Sequence, residues 1–485
     1  MSTQNNYNKH NKTPYLFINN SYLYTSITII SIISIVTFYY ISFINNFFAY
    51  DDFKYIENLF SPIKNLLLGY NSTRFFSNLI FAPIFIISGY NPAGYNLFNM
   101  ILHIINALLI VQLFYRISSN RLIGWTSGLF FAASAVLSDA LFWKCAHNGM
   151  LSALFSIISL LLYIHFSDTG SRKSKVASVL FFIVAMFSKE DAAALPLLIL
   201  SFEVLCRREK LLNGLKFTFP YVIIVIGYIL IGKILRSVFG VSLEHYERFL
   251  SFRPLHSIFG GYYSFLWDPR GELNSPIYAI ITGIACGILI FTLSSNKRLL
   301  LWAILGIFIT FLPSSLSSLV SYNPKYIFMS ASRYLYFPSA FTAFILACIL
   351  ADIRSRYGKF LGVAVIVSFI VIFIVFNYKY IIIRGTQWQQ EAEPVKIFLQ
   401  AMKFNFPYIP PNTYIFVIDP PTGRAYVQQA LRAFYKNPSI TWIADPQNFS
   451  PPSGSLALLF VCNWSYGMKA VTINSMAFNQ NIFKN

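Results

Sequence analysis

Charge is what this chain has least of. Only 18 of its 485 residues are Asp or Glu, and charged residues of both signs make up 11%. Soluble globular domains carry about 25%. With 56% hydrophobic residues besides, the composition excludes an ordinary soluble domain. Motif chemistry is equally thin. There is no glycine-rich phosphate loop, no zincin motif and no CxxC pair. The five cysteines (Cys145, Cys206, Cys286, Cys348, Cys462) are scattered without metal-ligand spacing, which implies packed or lone thiols and no disulfide framework. No sequence repeat and no inverted repeat is visible, so neither a solenoid nor a repeat-built transporter is indicated.

What the chain has in abundance is apolar runs near 20 residues, enough to cross a hydrocarbon core of about 30 Å. The pattern predicts a polytopic α-helical membrane protein with about eleven transmembrane helices, near 21–48, 95–116, 121–137, 149–166, 176–188, 192–206, 217–236, 276–294, 299–312, 336–351 and 360–378. The first run is too long for a signal-peptide core and lacks a small-residue cleavage site, so it reads as a retained span. Residues 76–90 are apolar but short and interrupted by Pro83, which suits an interfacial or re-entrant helix.

The net charge of +19 could suggest nucleic acid, but its placement argues against such a partner. Basic residues cluster in six nearly acid-free regions: the N-terminus and the connections near 116–121, 167–175, 206–216, 294–300 and 353–360. These alternate with the other connections, as the positive-inside rule requires of cytoplasmic loops. The count places the N-terminus in the cytoplasm and the acid-bearing loops and C-terminal tail outside. Heavy use of Asn, Ile, Lys, Phe and Tyr points to a prokaryotic cytoplasmic membrane. Three parts are expected: a cytoplasmic N-terminus (1–20), a membrane domain (21–380) and a small extracytoplasmic α/β domain (381–485). In the last, TYIFVID and SLALLFVCNW read as buried strands, and WQQEAEPVKIFLQAMKF and RAYVQQALRAFYK as helices.

Against so little charge, the stretch FAYDDFKYIEN stands out, because Asp51 and Asp52 arrive together just past the first span. They read either as a solvated membrane boundary or as a carboxylate held at the surface as general base or metal ligand. Adjacent side chains point in different directions, so one acid would act and the other orient or cap. In the second span Asn96, Asn99, His103 and Asn106 fall on one helical face. That stripe serves interhelical hydrogen bonding or walls a cavity. The outer turns add Asp139 (with Lys144 and His147 nearby), Lys189, Glu190 and Asp191 in SKED, and Arg333 and Tyr334 in SASRY. A Lys and an Arg at outer span ends suit a departing lipid phosphate, the Arg bidentately, or simply snorkel to the interface. Glu244, His245, Glu247, Arg253, Trp267 and Asp268 in 237–274 suit sugar or headgroup contact, or an aromatic belt.

Taken in order, FAYDDFKYIEN, GYNPAGYNLFNMILHIINALL, SKEDAAALPLLI and SRYLYFPS resemble the GT-C superfamily of membrane glycosyltransferases, nearest to the protein O-mannosyltransferase-like group. The resemblance covers much of the membrane part. It implies a polyprenyl-phosphate-linked sugar donor and inverting transfer on the extracytoplasmic face. It implies Asp51 as catalytic base with Asp52 as the lesser candidate, and Lys189 and Arg333 at the donor phosphate. His103, Asn99, Glu190, Tyr334 and Asp139 would line the substrate cavity. The chain departs from the family in carrying Arg74-Phe75-Phe76 where an Arg-Pro pair is usual, and Asn96 where a His is usual. Its tail lacks TPR repeats. No cofactor is required, because the donor carries the activated sugar, and a divalent metal is not favoured. The partners implied are the lipid-linked donor, membrane lipids, and an acceptor that is a protein, a lipid or a glycan. A transporter or lipid flippase, which would put acids near mid-span, and a non-catalytic membrane scaffold are the rival readings.

Overall fold

Apolar segments in lipid satisfy their backbone groups internally, so they become helices. The computed structural model describes residues 14–60, 74–239, 296–316, 332–443, 449, 456–464 and 471–477. The expected span at 276–294 and the polar residues named in 237–274 lie outside them. Among the described residues, twelve α-helices precede the C-terminal sheet: α1 (Pro14–Tyr40), α2 (Asp52–Leu59), α3 (Phe75–Ser88), α4 (Pro92–Ser118), α5 (Arg121–Ala132), α6 (Ser138–Phe142), α7 (His147–Thr169), α8 (Arg172–Ser188), α9 (Leu195–Leu205), α10 (Leu211–Phe239), α11 (Lys297–Leu316) and α12 (Tyr336–Asn405).

Local signals set the ends. Asn91 accepts from the Ala93 amide, with Pro92 at the first helical position of α4. Asn120 accepts from the Leu122 amide to open α5. Gly170, at φ +71, closes α7 in the left-handed conformation. The chain then bends by 50° between Arg121–Ala132 and Ala135–Phe142. There Asn377 of α12 inserts its Oδ1 to accept from the Ala135 amide at 2.8 Å. A side chain from the neighbouring helix thus satisfies the break.

Among the described residues, six helices are long and apolar enough to cross a membrane, or seven if the bent pair is one span. The sequence reading of about eleven counts more. The difference lies partly in short elements: α9 has 11 residues and reaches about 16 Å, half of a hydrocarbon core. α8, with 17 residues, opens on Arg172 and Lys173.

α12 bends at Gly358 (φ +75) and then runs unbroken from Phe360 to Asn405, 46 residues. The expected domain boundary at 381 falls inside this helix. Beyond it, β1 (Thr413–Ile418), α13 (Arg424–Tyr435), β2 (Thr441–Trp442), β3 (Leu456–Trp464) and β4 (Val471–Ala477) form a sheet of order β2-β1-β3-β4. β1 lies parallel to β2 and β3, and β4 runs antiparallel to β3. Thr413, Ile415 and Val417 alternate inward on β1, and α13 buries Val427, Ala430 and Leu431. α13 docks back on the first part of the chain: Arg432 pairs with Glu57 of α2 at 3.2 Å, and Tyr90 donates to the Ala433 carbonyl at 2.6 Å.

Candidate active site

After α1 ends, residues 44–50 form an irregular loop, and Tyr50 takes a left-handed backbone (φ +51) that non-glycine residues rarely adopt. That turn separates the fates of the two adjacent acids. Asp52, the first residue of α2, is fully buried. Its Oδ2 accepts from the Ala49 amide at 3.0 Å and its Oδ1 from the Cys145 amide at 2.9 Å. Burial pushes its carboxyl up to about 6, against the pull of Lys144 and the two amides. Lys144 donates to the carbonyls of Phe47 and Phe142, the latter at 3.3 Å. Asp52 and Lys144 therefore stitch the loop to the turn between α6 and α7.

Asp51, at the N-cap of α2, is half-buried, and its carboxylate makes no hydrogen bond or ion pair among the described residues. Burial raises its pKa, and the charges of Arg333, Lys54 and Arg74 pull it back in that order. It is a carboxylate placed among cations and committed to none of them.

Arg333 lies with its guanidinium 4.0 Å from the Trp143 ring centre and 4.8 Å from that of Tyr334. Its Nη2 donates to Tyr334 Oη at 3.2 Å, while its buried Nη1 has no partner. The Lys189 ammonium sits 4.5 Å from the Tyr334 ring centre and pairs with Asp191. Its position at the end of α8 is fixed from α7, where Ser152 donates to the Lys189 carbonyl at 3.1 Å. Tyr334 thus serves both cations. Next to them, Arg74 clamps Glu190 through two nitrogens, one at 2.8 Å. Loss of water would raise the Glu190 carboxyl, but the Arg74 guanidinium outweighs it and holds it well below the usual carboxylate range. Lys189 adds to the same field.

Lys189 and Arg333 share the Tyr334 ring, Glu190 adjoins Lys189, and Asp51 lies within the field of Arg333, so these five form one neighbourhood. Three of the expected cavity residues are not part of it. His103 is fully buried, with Nδ1 2.9 Å from Tyr336 Oη and Nε2 3.3 Å from the Ala132 carbonyl. Asn99 donates to the Leu141 and Trp143 carbonyls at 3.3 and 3.2 Å. Asn96 and Asn106 likewise reach the Ile44 and Met150 carbonyls. The polar stripe of α4 ties helices and loops together. Asp139 is fully buried against Arg384 and accepts from Trp388 Nε1 at 3.0 Å, so it secures α12 to α6. The correction has one physical reason: in so apolar an interior His103, Asn99 and Asp139 each engage packed partners.

Sequence reading also missed residues. Arg74 appears there only as a departure from the family. Tyr50 brings an aromatic group: its ring centre is 5.9 Å from Trp143, 5.9 Å from Trp388 and 5.5 Å from Tyr426, and its Oη donates to Glu391 at 2.9 Å. Four separate segments meet there, which no local pattern announces. Among the described residues, no three His, Cys, Asp or Glu side chains gather as metal ligands.

Neither a protein-family model nor a curated protein matches the chain. Solved structures do. ArnT from Cupriavidus metallidurans in its apo state superposes with a TM-score of 0.53 at 13% identity, over 92% of this chain and 93% of that one. ArnT bound to undecaprenyl phosphate gives 0.44 at 14% identity over the same shares. The oligosaccharyltransferase AglB from Archaeoglobus fulgidus, with an inhibitory peptide and a dolichol-phosphate, gives 0.49 at 11% over 87% of this chain and 64% of that one. At such identities the apo ArnT match speaks to fold alone: the chain shares the architecture of that structure over 92% of its length.

Proposed function

We propose that this chain is an inverting glycosyltransferase that moves a hexose or pentose from a polyprenyl-phosphate donor to an acceptor hydroxyl on the extracytoplasmic face of a prokaryotic cytoplasmic membrane. The observation that carries the reading is the uncommitted Asp51 carboxylate within the field of Arg333, whose Nη1 is buried without a partner. A base must be able to reach a substrate proton, and an anion-stabilising donor must have a free hydrogen to give. The two adjacent groups meet those demands.

In the proposed step Asp51 takes the proton from the acceptor hydroxyl. The acceptor oxygen bonds the anomeric carbon, and the bond from that carbon to the phosphate oxygen breaks. The polyprenyl phosphate leaves with the electron pair, and its new charge falls to Arg333 and Lys189, held on either side by Tyr334. Arg74 keeps Glu190 ionised, and with it the orientation of the turn that carries Lys189. Asp52 positions Asp51 through the backbone of its loop. This step uses no cofactor and calls for no metal, since the donor brings an activated sugar. The lipid carrier follows the sequence resemblance and suits the cations; undecaprenyl phosphate bound to ArnT is the same kind of molecule. With the basic connections inside, the sheet β1–β4 lies outside, beside the site through α13 and α2.

The test supplies purified full-length protein with a panel of radiolabelled polyprenyl-phosphate sugars, mannose first, and compares Asp51→Asn. Transfer from at least one donor, abolished in Asp51→Asn, supports the reading. Transfer at the wild-type rate in that variant removes Asp51 as base. No transfer and no donor binding across the panel would favour a transporter or a scaffold.

A further inference from the structure

A second site lies at the opposite ends of the same helices. The C-terminal ends of α4, α7 and α9 and the first turn of α11 enclose a pocket of about 360 Å³. Its charged lining is Arg116, Arg207, Arg208, Arg298 and Asp168. Phe202 and Leu299 give it apolar walls, both buried or nearly so.

Its charges do not balance. Asp168 alone serves two guanidiniums, accepting from Arg116 Nη2 at 3.1 Å through one oxygen and from Arg207 Nη2 through the other. Glu203 adds little, because its Oε1 already accepts from Tyr163 and Ser167 at 3.0 Å, and Arg207 Nε stands 3.9 Å away. Arg207 Nε is buried without a hydrogen-bond partner. Arg208 and Arg298 are exposed at the rim, and neither pairs with a carboxylate among the described residues.

Helix capping accounts for Arg116 and Arg207, which complement the carbonyl ends of α4 and α9. It does not account for the other two. Arg298 stands in the first turn of α11, which holds Lys297 and no acid. A cation at a helix N-terminus has the wrong sign for the dipole. Arg208 takes a left-handed backbone at φ +62, uncommon for a residue with a β-carbon. The charge cost at Arg298 is one that an anion in the pocket would offset. The α11 N-terminus would contribute to holding it.

We propose that this pocket binds a phosphate-bearing anion, taken from an acidic phospholipid headgroup or from free phosphate. Arginine forks suit phosphate oxygens, and the apolar walls suit the glycerol and first methylenes of a lipid. The site is independent of the transferase reading, since none of its residues belongs to the Asp51 neighbourhood.

The experiment uses the full chain in phosphatidylcholine nanodiscs, alone, with phosphatidylglycerol added, or with inorganic phosphate added. Native mass spectrometry counts retained lipid, and thermal melting reports phosphate binding. Each arginine near a membrane surface is worth about fivefold in affinity, so Arg208→Gln with Arg298→Gln should weaken anion binding about thirtyfold. This pair should melt like wild type in phosphatidylcholine alone. Asp168→Asn should strengthen binding, because it releases two guanidiniums. Selective retention of phosphatidylglycerol identifies a lipid headgroup. Stabilisation by inorganic phosphate, with both lipids retained alike, identifies free phosphate. The proposal is overturned if neither anion binds better than phosphatidylcholine, if the double variant binds like wild type, or if Asp168→Asn binds less.

Discussion

The two ends of the helix bundle use ions in opposite ways. At the Asp51 end, carboxylates and cations turn inward and are matched one to one: Asp52 with two amides, Asp139 with Arg384, Glu190 with Arg74, Lys189 with Asp191. At the basic end, one half-exposed aspartate stands between two arginines, and two more arginines look into an open pocket. The contrast teaches that a matched interior makes an unmatched group conspicuous. Asp51 is informative because the other carboxylates around it are spoken for. Where nothing is matched, as around Asp168, only the net field carries meaning.

The sharpest way to break this contrast is Asp51→Asn, which leaves every matched pair intact. General-base catalysis is worth about 10²- to 10⁴-fold, and sugar transfer should fall by that much with unchanged melting. A second substitution can be made at both ends. Asp139→Asn leaves Arg384 buried without its counter-ion and should cost about 3–5 kcal/mol of stability. Asp168→Asn, at a half-exposed pair, should cost about 0–1 kcal/mol. Equal losses in thermal unfolding would erase the distinction between the ends. Arg333→Gln should lower turnover about 10²-fold with a smaller change in donor affinity, which single-turnover kinetics can separate.

The smallest effect concerns pH. Asp51 works deprotonated, and burial raises its carboxyl above the ordinary 3.8. Transfer should therefore fall as the medium is acidified through that raised value, on a limb above the usual carboxylate range. Lys54 pulls the carboxyl down, so Lys54→Gln should move the limb to higher pH. A limb that stays put would place another group in the role of base.

Much of this was legible in the sequence, and the exceptions share a cause. Apolar runs located α4 and α7 within a few residues and α1 and α10 more loosely, because helix formation in lipid depends on local composition. The strand segments TYIFVI and LALLFVCNW and the helix between them were legible for similar reasons. SKED and SRY pointed at Lys189, Glu190, Arg333 and Tyr334 because charged residues are rare enough here to be noticed singly. What failed depends on tertiary partners. His103, Asn99 and Asp139 look alike to Asp51 in sequence, as polar residues in or beside apolar spans. Only Ala132, Trp143 and Arg384, far away in the chain, show that they are already used. Arg74 and Tyr50 went unread because their partners Glu190, Trp388 and Glu391 lie more than a hundred residues on. The ranking within the acid pair was open in sequence, and the geometry separates the two residues: Asp52 is the one tied down.

The long run of α12 from Phe360, with Pro394 inside it, has a mechanical consequence. Its 46 residues form a rod of about 69 Å, pivoted at Gly358. Arg384, Trp388 and Glu391 ride on that rod, gripping Asp139 and Tyr50, and the sheet follows from its far tip. Such a boom cannot yield at one contact alone. A swing of about 3° would carry the tip about 4 Å and load all of these contacts together, so they would let go, or hold, as a set.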